Sequence, residues 1–299
     1  MCGIVGLLIK NPAMRDELGE LMLPMLIGMT ERGPDSAGLA VFGDRISKGK
    51  VKFNLFATSA DFDWNSFEKA FDSHFGSIAE LTIKGRHAVL STTVIWESVR
   101  DWLVHSYRRE LTILCVGSSM DIYKDIGTPG QVAERYGFKN LHGSHVVGHT
   151  RMATESAVTP QHAHPFTAGH DFCLVHNGSL SNPNSIRRKL EPLGIHFDTD
   201  NDTEAACRYL EWRLREGDTL EQAVQSGFEE QDGFYTFLMG TENKLALVRD
   251  AFACKPAVVA ENDDYVAISS EFRSLARLPD IKNARLFEPA PEELYVWTI

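Results

Sequence analysis

No two of the five cysteines are spaced as CxxC, Lys and Arg are outnumbered by Asp and Glu 30 to 41, and no long apolar run occurs. Each shortage excludes something. Cys2, Cys115, Cys173, Cys207 and Cys254 are scattered and odd in number, so neither a disulfide framework nor a zinc ribbon is expected, and a reducing compartment fits. A formal net charge of −11 argues against a general basic face, so nucleic acid is not an expected partner. No stretch approaches the roughly 18 apolar residues of a membrane helix, so no membrane partner is expected. No basic residue precedes the short apolar stretch at the N-terminus, so no signal peptide is expected and the expected compartment is the cytoplasm. Repeats and low-complexity linkers are also missing.

What is there is ordinary for a globular chain: 43% hydrophobic and 24% charged over 299 residues, enough for a sizeable core. Residues 2–9 ("CGIVGLLI") read as a buried strand, and 14–29 as an amphipathic helix despite Pro24. "ERGPDSAG" (31–38) reads as a turn before the strand "LAVF". Between 44 and 147, "VKFNLFAT", "HAVLSTTVIW" and "ELTILCVG" look like strands, and "WNSFEKAFDSHF", "ESVRDWLVHSYRRE" and "TPGQVAERYG" like helices. Helices are expected at 184–191, 202–216 and 219–230, the second capped by Asp200 or Asn201. The rest, from "FYTFLMG" to "ELYVWTI", is strand. Strands early, helices in the middle and strands late favour an α+β layered fold over a doubly wound sheet.

Several short stretches carry chemistry. Cys2 follows the initiator Met, which is removed when residue 2 is small. The thiol then shares its residue with a free α-amine. Unperturbed, the amine titrates at about 7.7–8.0 and the thiol at about 8.5, so the amine can serve as base for its own thiol. The alternative is a small buried apolar residue, the usual fate of free cysteine. In "RGPDSAG", Arg32 and Asp35 flank a Gly33-Pro34 turn and can be a structural pair. In "GHTRMAT" (148–154), Arg151 falls in a polar loop after the strand "HVV". Its guanidinium fork suits a substrate carboxylate, or it is a surface residue.

"LVHNGSLSN" (174–182) places Asn177-Gly178 at the tip of a strand-to-helix turn. An Asn amide and a Gly N–H can also converge on a developing oxyanion. "NDTE" (201–204) opens a helix with acidic residues, as the helix dipole favours, and offers a carboxylate to a substrate ammonium. Seven histidines crowd 142–176 (His142, His145, His149, His162, His164, His170 and His176), but without HExxH or another metal-ligand spacing, so no metal is expected.

"MCGIVG", "RGPDSAG", "GHTRMAT", "HPF", "LVHNGSLSN", "NDTEAA" and "AISSEF" occur in the order seen in class II glutamine amidotransferases, which are N-terminal-nucleophile hydrolases. The chain resembles that family over most of 1–44 and 148–275. The resemblance implies a four-layer αββα sandwich with Cys2 as nucleophile. It implies Asn177 and Gly178 as the oxyanion hole, Arg151 on the glutamine carboxylate and Asp202 on its α-ammonium. Thr154 lines the glutamine pocket and His164 supports it.

Two departures bear on function. The segment at about 44–147 is longer than in the compact amidotransferase domains of glucosamine-6-phosphate synthase or amidophosphoribosyltransferase, and is expected to be an insert within a single domain. No isomerase, phosphoribosyltransferase or SGGxDS region is present to take ammonia, so an acceptor subunit is expected. The insert is similar to that of the small subunit of split glutamate-synthase-like systems such as N-methylglutamate synthase. On that resemblance FMN and iron–sulfur cofactors belong to partner subunits and this chain carries none. The alternatives are a hydrolase of γ-glutamyl amides and a non-catalytic regulatory subunit.

Overall fold

The computed structural model describes residues 2–77, 79–153 and 157–299, so Met1 and Thr154 lie outside the described residues. The first part of the chain forms β1 (Gly3–Ile9), α1 (Leu18–Ile27), β2 (Ser36–Phe42), β3 (Val51–Ala57), α2 (Trp64–Phe75), β4 (Glu80–Lys84), β5 (His87–Thr92), α3 (Trp96–Tyr107) and β6 (Leu111–Gly117). Then come β7 (Met120–Ile126), α4 (Pro129–Tyr136), β8 (His145–Arg151), β9 (Phe166–Ala168), β10 (Phe172–Leu180), α5 (Pro183–Leu190), α6 (Asp202–Arg215) and α7 (Leu220–Glu230). The chain ends with β11 (Gly233–Thr241), β12 (Lys244–Arg249), β13 (Val258–Glu261), β14 (Tyr265–Ser269), α8 (Phe272–Leu275), β15 (Arg285–Phe287) and β16 (Leu294–Thr298).

Among the described residues, a seven-stranded sheet runs β15-β13-β14-β1-β8-β2-β7 and a five-stranded sheet runs β16-β12-β11-β10-β9. Ile4, Leu8, Phe42 and Val147 of the first meet Val175, Leu238 and Leu247 of the second in one core. On the outer face of the first sheet, Val5, Leu7 and Val146 pack on Met22, Leu26 and Tyr136 from α1 and α4. On the outer face of the second, Phe237 and Ala246 pack on Ile186, Tyr209 and Val224 from α5, α6 and α7. The result is the expected four-layer αββα sandwich. It also explains why β1 is an unbroken apolar run: every residue from Gly3 to Ile9 is buried, one face against the helices and the other against the second sheet.

The expected helix at 14–29 is shorter. Asn11 caps a 3-10 turn at Pro12–Glu17, and α1 begins only at Leu18. Gly19 gives its N–H to the Leu141 carbonyl at 2.8 Å instead of to the preceding turn, which separates the two pieces.

Residues 44–147 divide in two. A separate four-stranded sheet, β4-β5-β3-β6, closes over α2 and α3 around Phe53, Phe67, Phe71 and Leu103. By contrast β7, α4 and β8 belong to the sandwich, β7 pairing with β2. Two polar side chains join the parts. Asn54 in β3 donates to Met120 O at 3.1 Å and accepts from Ile122 N at 3.0 Å. The buried carboxylate of Asp171 accepts from the backbone N–H groups of Ser118, Ser119 and Met120 and from the Ser118 hydroxyl.

Candidate active site

β1 and β8 pair with Gly3 opposite Thr150, so one step further along the register sets Cys2 opposite Arg151. Cys2 thus sits at the mouth of the sandwich, at the end of its central strand. The expected loop position of Arg151 is corrected: Arg151 is the last residue of β8, paired with Ser36 of β2, and it is buried. Its Nη1 donates to the Ala157 carbonyl at 3.0 Å.

The "RGPDSAG" stretch serves this junction. A Cβ on Gly33 would fall 2.3 Å from the Thr150 carbonyl carbon, so only glycine lets the turn lie against β8. Arg32 Nε donates to the Cys2 carbonyl at 2.9 Å. Asp35 Oδ2 accepts from Ala153 N at 2.8 Å. The two flanking charges therefore hold different pieces of the site, one Cys2 and the other the backbone just past Arg151. The Cys2 thiol faces the Met152 carbonyl, with Sγ 3.7 Å from the oxygen.

Asn177-Gly178 is not a turn. β10 runs straight through it, Asn177 paired with Thr236 and Gly178 with Tyr235 of β11. Tyr235 directs its own N–H and C=O to Asp250. Its pair with Gly178 is therefore of the non-hydrogen-bonded kind, which leaves the Gly178 N–H unspent on β11. Gly178 has φ 145, and a Cβ there would lie 2.0 Å from Phe234 O. Asn177 Nδ2 donates to the Cys2 carbonyl at 3.2 Å and to Ser270 Oγ at 3.1 Å.

Asp202 opens α6, capped by Asn201, whose side chain accepts from Thr203 N. Asp202 Oδ2 accepts from Leu180 N at 2.9 Å, and Oδ1 lies 3.8 Å from His176 Nδ1. His164 Nε2 lies 2.9 Å, and His176 Nδ1 3.1 Å, from the Thr203 hydroxyl. His149 stacks on His164 with ring centroids 4.0 Å apart. Burial pushes all three imidazoles toward the neutral form: His149 down to about 3, His164 well below its ordinary value, and His176 lower despite the Asp202 carboxylate beside it.

Cys2, Arg151, His164, Gly178 and Asp202 line one cavity of about 460 Å³, with His176 and Thr203 also on its wall. Asn177 lies behind this wall, with its Nδ2 on the Cys2 carbonyl. A cation and a carboxylate set apart around a thiol suit a small zwitterion with a reactive carbonyl group. Arg32, His149, Thr203 and Ser270 were not singled out as site residues by sequence reasoning. Of the seven crowded histidines His149, His164 and His176 gather here, and His162 Nε2 lies 2.9 Å from Asp200 Oδ1 on the cavity wall. His145, for example, stacks on Phe42 instead. Among the described residues no group of three or more His, Cys, Asp or Glu is placed to hold a metal ion. Among the described residues no helix is long and apolar enough to cross a membrane.

Comparison with known proteins gives relatives along the whole chain. The profile of a family described as "Glutamine amidotransferase domain" matches residues 149–277. The "Glutamine amidotransferase-like protein GlxB" of Rhizobium meliloti is 46% identical over 297 residues, covering 99% of this chain and 98% of its own. A relative from Methanothermobacter thermautotrophicus is 31% identical over 304 residues, covering 99% of both. Among solved structures, the glutamine phosphoribosylpyrophosphate amidotransferase of B. subtilis superimposes with a TM-score of 0.63 at 18% identity, covering 99% of this chain and 47% of its own. At that identity the likeness concerns the fold alone.

Proposed function

The chain belongs to the class II glutamine amidotransferases, and from that membership we propose that it is a glutaminase subunit with Cys2 as its nucleophile. The observation that carries the reading is the meeting of Cys2, Arg151, Gly178 and Asp202 around one cavity, with the Asn177 amide on Cys2. Arg151 takes the α-carboxylate of glutamine and Asp202 its α-ammonium. A ligand lacking either end leaves a desolvated partner unpaired.

With Met1 removed, the α-amine of Cys2 accepts the thiol proton, directly or through one water. The thiolate adds to the side-chain amide carbon, and the new oxyanion takes hydrogen bonds from Gly178 N–H and from Asn177 Nδ2, which gives up its bond to the Cys2 carbonyl or to Ser270 Oγ to reach it. The resulting ammonium returns its proton to the leaving nitrogen, the C–N bond breaks and ammonia departs. Water then adds to the thioester through a second oxyanion, giving glutamate and the free thiol. His164 lies on the pocket wall, and Thr154, outside the described residues, is a further substrate-binding residue on the family resemblance.

The ammonia goes to a separate synthase subunit of glutamate-synthase-like type, N-methylglutamate synthase being the example whose small subunit the insert resembles. FMN and iron–sulfur groups would then belong to that partner. The test is alkylation by 6-diazo-5-oxo-norleucine. The expected result is one adduct, on Cys2 of a chain that begins at Cys2, with loss of ammonia release from glutamine. Labelling elsewhere, or turnover surviving Cys2→Ala, would overturn the mechanism. Faster release from γ-glutamyl peptides than from glutamine would favour the γ-glutamyl amide hydrolase.

A further inference from the structure

We infer that His149 is the positioning residue of the oxyanion site: its Nε2–H holds the Asn177 amide in the orientation that turns Nδ2 toward Cys2. The inference rests on the reading of Asn177 as an oxyanion donor.

A side-chain amide has two orientations of nearly equal shape, and only its neighbours choose between them. The Cys2 carbonyl accepts only, which favours Nδ2 on that side. Ser270 does not decide. Its hydroxyl oxygen already accepts from Ile4 N at 2.9 Å and can still turn its proton either way. His149 Nε2 lies on the opposite side, 3.2 Å from Asn177 Oδ1 and 3.1 Å from the His176 carbonyl oxygen. A backbone carbonyl has no proton to give, so the nitrogen beside it must carry one. The tautomer is therefore Nε2–H, and Asn177 must present its oxygen there. A flipped amide would set two donors against each other at His149 and two acceptors against each other at Cys2.

The ring itself is held. It is buried and stacked on His164, whose Nε2 contacts Thr203. Its Nδ1 is buried without a protein hydrogen-bond partner among the described residues. Burial, which pushes the imidazole down to about 3, keeps a second proton off that atom, so a single donor persists at neutral pH.

His149 is not on the wall of the cavity, so it touches neither charged end of the substrate. Its effect falls on the oxyanion, which exists only in the tetrahedral species. The loss is therefore expected in kcat and not in KM. The experiment compares wild type, Asn177→Ala, His149→Leu and His149→Gln in the processed full chain with glutamine. His149→Leu is expected to lose about 10²-fold in kcat with KM within about threefold. His149→Gln, which carries an N–H at similar reach, is expected to recover most of that loss. The double variant Asn177→Ala/His149→Leu is expected to be no worse than Asn177→Ala. Nitrogen-15 spectra of wild type, which need no variant to fold, should show His149 protonated at Nε2 only.

A crippled Asn177→Ala beside an unimpaired His149→Leu overturns the inference alone, as does a proton on Nδ1 or a loss carried by KM. An unimpaired Asn177→Ala overturns the oxyanion reading, and His149 falls with it.

Discussion

Arg32 Nε donates to the carbonyl oxygen of Cys2 at 2.9 Å, while its Nη1 lies 3.1 Å from Glu271 Oε1. The same carbonyl accepts from Asn177 Nδ2, so both its lone pairs are engaged. Two donors from different strands and loops fix the Cys2–Gly3 peptide plane, and with it the direction of the thiol. Arg32→Lys keeps the charge near Glu271 and loses the fork that spans both partners. The expected outcome is about a tenfold slower alkylation of Cys2 by the diazo analogue, since small misplacements of a reacting group are costly. A rate equal to wild type would show that Arg32 does not set the thiol.

Gly178, like Gly33, is a position in the site where no side chain fits. A Cβ would meet Phe234 O at 2.0 Å and His176 Nε2 at 2.7 Å, at a φ of 145 that side chains rarely adopt. Gly178→Ala must displace β11 or the His176 ring. A stability loss of about 2–5 kcal/mol is expected, from strain and overpacking together. Urea denaturation reads it directly. A loss below about 1 kcal/mol would mean that the strand accommodates a methyl group and that glycine is there for another reason.

The layered fold was legible because β1 and the late strands are long apolar runs, and the helices between them carry clear caps and stripes. In the sequence Arg151 reads as loop for its polar surroundings and Asn177-Gly178 as a turn because Asn-Gly ordinarily turns a hairpin, whereas the structure makes both part of strands. In the sandwich their strands continue to the sheet edge, where polar side chains face a cavity instead of water. His149 carried a usable signal. Alternation along β8 sets it on the same face as Val147 and Arg151, the face toward the second sheet. What no local pattern conveys is the pairing of Arg32 with Cys2 or of Ser270 with Asn177, because those contacts join residues 30 and 93 positions apart.

Buried neutral histidines make stability depend on pH in a defined direction. Burial pushes His145 and His149 down to about 3 and His87 down to about 4. Below their ordinary value of about 6.5 the unfolded chain binds protons that the folded chain refuses, so stability rises with pH across that window. Their contribution is complete above about 6.5 and is lost on acidification, at about 1.4 kcal/mol per pH unit for each group. Urea midpoints at pH 7.5, 6.5 and 5.5 should fall between the last two. An unchanged midpoint would mean that these rings find protons or water in the folded state.

Asp171 is the clamp between the four-stranded sheet and the sandwich. It sits at φ 51 just before β10, and four donors from residues 118–120 close on its two oxygens. Burial opposes the charge, but the N–H groups of Met120, Ser119 and Ser118 outweigh it and hold the carboxyl below the usual carboxylate range. Removing the acceptor strands three backbone N–H groups, two of them in buried residues, and charge-assisted bonds are worth about 1.5–3 kcal/mol each before compensation by water. Asp171→Ala should therefore cost about 3–5 kcal/mol. Asp171→Asn should recover little, because its amide brings donors to a ring of donors. Hydrogen exchange at residues 118–120 should rise in both variants. A cost below about 1 kcal/mol, with exchange there unchanged, would show that Asn54 and the apolar contacts hold the two sheets together without the carboxylate.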